Sequence, residues 1–234
     1  METAAFSSQV QAFDAWKTGL IRNLESFRLW LRRNQLFQPE TDLRLYHMLE
    51  TLRADYLTIA FVGEFSRGKT ELINAIFFSE YGQRILPSDA GRTTMCPTEL
   101  FFDRESKLSY IRLLPIETRL KDIALADYKK MAGHWVELPL ITNSAADMAQ
   151  AMATITQTKN VAYNQAVALG FDKASLEKNR DEDGYVAIPA WRHALISFPH
   201  PLLSRGLCIL DTPGLNALGA EPELTLSLMP KAQA

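Results

Sequence analysis

The stretch LTIAFVGEFSRGKTELINAIF, residues 57–77, decides how this chain is read. A short apolar run, LTIAFV, stops at Gly63 and gives way to Glu64, Phe65, Ser66 and Arg67. Gly68, Lys69 and Thr70 follow, and the next segment reads as a helix. The spacing is G-x-x-x-x-G-K-T between a strand and a helix, the pattern of a phosphate-binding P-loop. Glycines let the backbone turn tightly, so that successive N–H groups face phosphate oxygens. A helix starting near Lys69 adds the positive end of its dipole. The pattern assigns Lys69 to the β- and γ-phosphates as a point charge, and the Thr70 hydroxyl to Mg²⁺. Chance produces such a string on the order of once in a hundred chains of this length.

One P-loop does not identify an activity, so a second site is needed. CILDTPGL, residues 208–215, supplies it: an apolar strand ends in Asp211, and Thr212, Pro213 and Gly214 complete D-x-x-G. An acidic residue at that strand end suits Mg²⁺, held through water, and the Gly214 N–H suits a γ-phosphate. Alone, D-x-x-G is a common turn; downstream of a P-loop it gains meaning. Between the two lies ILPSDAGRTTMCPTEL, residues 85–100. A loop punctuated by Gly and Pro, with consecutive threonines, suits a switch that sets one hydroxyl on a metal and a carbonyl on an attacking water. Read without its neighbours it is a polar turn before the strand TELFF.

The rest of the chain is ordinary by comparison. With 234 residues, 47% of them hydrophobic, there is material for one large domain or a domain with an appendage. The net charge of −2 offers no electrostatic reason to expect nucleic-acid binding. Cys96 and Cys208 lie far apart and read as buried thiols of a reducing compartment. His47, His134, His193 and His200 show no repeated ligand spacing. Neither a secretory signal nor an apolar run long enough to span a bilayer is found, so a cytoplasmic location is expected.

Two amphipathic segments come first. Phe6, Val10, Phe13, Trp16, Leu20, Leu24, Phe27 and Leu31 form one helical stripe that suits packing into a bundle. After a break at Pro39, with Thr41 or Asp42 as a capping residue, Leu45, Leu49, Leu52 and Tyr56 continue the pattern. Further on, TELFFD and LSYIRLLPI read as strands, LKDIALADYKKMA as a helix, and residues 144–169 as one long helix. KNRDEDGY reads as a solvated turn. HALISFPHPLLSRGLCILD reads as strand, turn and buried strand.

Together GEFSRGKTELINAI, LPSDAGRTT with its trailing CPTEL, and SFPHPLLSRGLCILDTPGL resemble the dynamin superfamily, in that family's order. Bacterial dynamin-like and mitofusin-related GTPases are the most similar branches. The resemblance implies an α/β fold, a P-loop NTPase of the dynamin G-domain type. Helices at 1–54 precede a GTPase portion at 55–234, with a long insertion at about 117–190. It implies a GTP hydrolase that uses Mg²⁺, and a monovalent cation at Ser66. Gly63, Glu64, Phe65, Ser66, Arg67, Gly68, Lys69 and Thr70 are its nucleotide-binding loop, with Asp211 and Gly214 as the second switch. Thr94 is its switch threonine, so that Ser66, Lys69 and Thr94 carry catalysis and Thr70, Thr94 and Asp211 serve the metal. Self-association through the G domain and peripheral membrane association follow by analogy.

The sequence departs from the family in places. Phe65 replaces the glutamine of dynamins proper. Leu215 stands where small GTPases keep a water-orienting glutamine, so catalysis must rest on the switch backbone, a cation and G-domain pairing. Arg67 reads equally as a charge stabiliser and as a solvated arginine. No N/T-K-x-D motif follows Asp211, so the chain reads as a G domain cut short, expected to bind nucleotide poorly by itself. An ATP-using P-loop NTPase and a non-catalytic interaction module are the competing readings.

Overall fold

The structure is a computed structural model that describes residues 2–53, 56–62, 68–87, 96–121 and 123–212; the side chains of residues 2–8, 10, 11 and 51 are outside the description. Of the expected site residues, Gly63, Glu64, Phe65, Ser66, Arg67, Thr94 and Gly214 lie outside the described residues. The chain divides into two compact units, Met1–Tyr56 and Leu57–Ala234.

The first unit is a helical hairpin of α1 (Glu2–Arg33) and α2 (Pro39–Arg53). The expected capping role for Thr41 or Asp42 is not what forms. The helix opens at Pro39, whose fixed φ and missing N–H suit a first helical turn. Asp42 turns instead to α1, where it accepts hydrogen bonds from Arg28 at 2.5 and 2.6 Å and from Arg32 at 3.0 Å. Leu45 and Leu49 are buried. The single apolar stripe expected on α1 divides. Leu20, Leu24 and Leu31 are half-buried, while Phe13 and Trp16 stay 56% and 58% exposed.

The second unit is a mixed α/β domain. After β1 (Leu57–Phe61) come α3 (Lys69–Phe77), β2 (Thr98–Phe101) and β3 (Tyr110–Pro115). Then follow α4 (Leu125–Tyr128), β4 (Val136–Pro139), α5 (Ala145–Ala153), β5 (Thr158–Ala162), α6 (Tyr163–Ala168) and α7 (Lys173–Lys178). The described part closes with β6 (Tyr185–Pro189), β7 (Trp191–Ser197), α8 (Pro201–Ser204) and β8 (Leu207–Asp211). The main sheet runs β1-β8-β2-β7-β3-β4. Strands β1 and β8 are parallel, as are β2 and β7; the other neighbours are antiparallel. Among the described residues β1 has β8 on one side and stands at the edge on the other.

Strand alternation sends two sets of side chains to opposite faces. One face, carrying Ile59, Leu100, Ile111, Leu113, Ile196 and Ile209, packs on Ile73 and Phe77 of α3, Met148 and Met152 of α5, and Leu203 of α8. On the other, Ala60, Leu114 and Leu210 meet Leu125, Tyr128 and Trp135. No helix of the described residues is long and apolar enough to cross a membrane.

Two helical expectations fail in the insertion. Residues 144–169 form not one helix but α5, a 3₁₀ turn at Thr154–Thr156, β5 and α6. The cause is local and tertiary together. The Thr154 and Thr156 hydroxyls donate to Ala151 O and Ala153 O, and β5 pairs with β6 across a stretch that sequence periodicity does not see. LKDIALADYKKMA forms only a single turn of α-helix, α4. The antiparallel pair β5–β6 and the intervening α6–α7 enclose a separate small core of Val161, Ala166, Leu169, Phe171, Leu176, Val186 and Ile188, joined by Ile116. The insertion is therefore not one appendage. Its β4 and α5 belong to the main sheet and core, and only its later half forms a satellite.

Candidate functional site

The buried strand β8 runs beside β1 in register, so that Phe61 pairs with Asp211 at the strand ends. Thr212 ties the same two strands together by donating its hydroxyl to Phe61 O at 2.9 Å. On the far side of β8, Asp211 is also level with Thr98 of β2. Three chain segments distant in sequence therefore meet at one end of the sheet, the phosphate-loop end by the sequence reading.

Gly68 precedes α3 with φ 79° and ψ 13°, a left-handed conformation that a side chain would strain. The helix opens with Lys69 and Thr70, at the end where a helix presents its positive dipole. Thr70 is buried, and its hydroxyl donates to Asp211 Oδ2 at 3.3 Å. A hydroxyl and a carboxylate are hard oxygen donors of the type Mg²⁺ selects. No cluster of three or more His, Cys, Asp or Glu able to hold a metal occurs among the described residues. One hydroxyl and one carboxylate suit a cation that also keeps waters and phosphate oxygens. Of the expected site residues the structure brings together Gly68, Lys69, Thr70 and Asp211.

Cys96 and Cys208 are both buried and free, as their spacing suggested. Burial pushes each thiol up to about 12, which leaves them inert at neutral pH.

Other polar residues near the site escaped the sequence reading. Asn74, one turn after Thr70 on α3, bonds the backbone of Ile85 and Leu86. Its signal was an amide within the otherwise apolar run LINAIF, residues 72–77. Glu99, one residue beyond Thr98, sits with His193 and Lys129 on the opposite face of the sheet. No local pattern announces that group, because its three members come from β2, α4's end and β7.

A strand, a left-handed glycine, a helix opening on Lys-Thr and a buried aspartate at the neighbouring strand end define a P-loop α/β domain. Within that class the chain belongs to the dynamin family, whose family model matches residues 59–234. No curated protein matches it. Two of the solved chains that align with it are bacterial dynamins. Both are described as an oligomerised bacterial dynamin pair that provides a mechanism for the long-range sensing and tethering of membranes. One is 21% identical with a TM-score of 0.38, over 81% of this chain and 21% of that one. The other is 15% identical with a TM-score of 0.40, over 94% of this chain and 27% of that one. This chain thus spans about a fifth to a quarter of their length.

Proposed function

We propose that this chain, although no N/T-K-x-D motif follows Asp211 in it, binds GTP with Mg²⁺ and carries hydrolytic residues of a dynamin-type GTPase. The observation that carries the reading is the Thr70 hydroxyl 3.3 Å from the Asp211 carboxylate at the head of α3. Membership of the dynamin family supports it. In this reading the backbone of residues 63–68 and the α3 N-terminus cradle the phosphates, and Lys69 reaches the β- and γ-oxygens. Thr70 and Thr94 offer hydroxyls to the metal, and Asp211 offers its carboxylate through water. Bound Mg²⁺ would neutralise charge developing on the phosphate oxygens. Ser66, with a monovalent cation, serves the transition-state charge, the Thr94 segment orients the attacking water, and the Gly214 N–H senses the γ-phosphate. Self-association through the G domain and contact with membranes belong to the same proposal. The two aligned structures are described, for their own proteins, only as an oligomerised pair and as tethering membranes.

The test is competition between GTP and ATP for this chain with Mg²⁺, beside Lys69→Ala, once circular dichroism shows both folded. Guanine preference lost in Lys69→Ala supports the proposal. Equal affinity for ATP, or binding indifferent to Lys69, overturns it.

A further inference from the structure

We propose that Asn74 is a positioning residue that holds the root of the Thr94 segment against the phosphate-binding helix. Its side chain is buried and makes three hydrogen bonds to backbone. Oδ1 accepts from Ile85 N at 3.1 Å and from Leu86 N at 2.8 Å, while Nδ2 donates to Leu86 O at 2.9 Å. Ile85 and Leu86 are themselves buried, so no water replaces a lost partner at little cost. An amide is the side chain the place requires. It supplies an acceptor with two lone pairs and a donor side by side on one planar end without charge.

The placement gives these bonds a consequence. Thr70 and Asn74 stand one turn apart, on one face of α3. The first reaches Asp211, and Asp211 is level with Thr98, where the chain re-enters the sheet after Thr94. The second reaches Leu86, which the chain leaves on its way to Thr94. Both ends of the stretch carrying Thr94 are therefore referred to the same helix that begins with Lys69. Ile73 and Phe77 hold that helix in the main core, which gives the two anchor points a rigid base. Asn74 touches no reacting group by this geometry; it acts through the backbone it holds.

The kinetic part of the inference rests on the GTPase reading; the backbone part does not. Asn74→Ala, Asn74→Ser and Asn74→Asp are compared with the unaltered chain by amide hydrogen exchange without nucleotide, then by Mg²⁺-GTP turnover. Exchange at Ile85 and Leu86 should rise about tenfold or more in Asn74→Ala, with Val161 and Val186 of the satellite unchanged. Asn74→Asp keeps the acceptor, so the two amides should stay protected in it. Turnover should fall about tenfold or more in Asn74→Ala while GTP affinity moves less than roughly threefold, and Asn74→Asp should recover part of kcat. A folded Asn74→Ala with unchanged exchange at Ile85 and Leu86 overturns the inference. Raised exchange with unchanged kcat also overturns it, reducing the residue to a structural role. Should Asn74→Ala fail to fold, Asn74→Ser decides by the same two criteria. An unaltered chain that neither binds nor turns over GTP overturns the GTPase reading, and the exchange data then judge the clamp separately.

Discussion

Glu99 on β2 and Lys129 beyond α4 form a two-pronged ion pair beneath the sheet, with Nζ 2.5 Å from one carboxylate oxygen and 2.6 Å from the other. His193 of β7, wholly buried, adds its Nε2 at 3.1 Å from Oε1. Burial alone would raise the Glu99 carboxyl, but His193 and then Lys129 outweigh it and hold the group at about 2. The pair ties the insertion to the strand that follows Thr94. Lys129→Ala removes one partner of a buried charge and should cost about 2–3 kcal/mol at pH 7 by chemical denaturation. Because the folded carboxyl lies below its ordinary 4.5, this stabilisation is complete above that pH and lost as pH falls towards 2. The gap between the two proteins should therefore narrow only in acid. A gap that widens on acidification would contradict the assignment.

Asp42 in the helical hairpin follows the same sign. The Arg28 hydrogen bonds are the main cause, opposed by slight burial and aided by Arg32, and they hold its carboxyl at about 2. Asp42→Asn should lower the melting temperature of the α1–α2 unit at pH 7. The difference from the unaltered protein should shrink between about pH 4 and pH 2, as the native carboxylate gains its proton. Thermal unfolding followed by circular dichroism across that range checks it.

Met152 in α5 is wholly buried in the core on the α3 face of the sheet, although its sequence lies in the insertion. Met152→Ala should cost about 2–5 kcal/mol through lost burial and the cavity left behind. Phe171→Ala should mainly loosen the satellite core, where Phe171 packs with Leu169 and Leu176. Exchange at Val161 and Val186 would then rise while the amides of β8 remain protected. Uniform loss of protection in both variants would show the satellite to be inseparable from the main domain.

Thr70 supplies the hydroxyl that meets Asp211. Thr70→Ala should weaken GTP binding about tenfold or more with Mg²⁺ and much less in EDTA, because only the metal-dependent part of the affinity uses that oxygen. Titration calorimetry in both buffers measures the difference. Equal losses with and without Mg²⁺ would place Thr70 outside the metal site.

The sequence by itself determined the strand–loop–helix at residues 57–77, the aspartate closing LCILD, and the order in which they occur. These are local signals: an apolar run sets a buried strand, Gly68 permits a left-handed turn, and Lys69 and Thr70 open a helix. Only the tertiary structure decided that residues 158–162 are a strand, that Asn74 holds Leu86, and that Glu99, Lys129 and His193 share one pocket of charge. Their partners lie across gaps where helical and strand periodicities carry no information. Each contact forms because the main sheet or the β5–β6 strand pair brings distant segments to bonding distance, and at 158–162 that pairing overrides the local preference for helix.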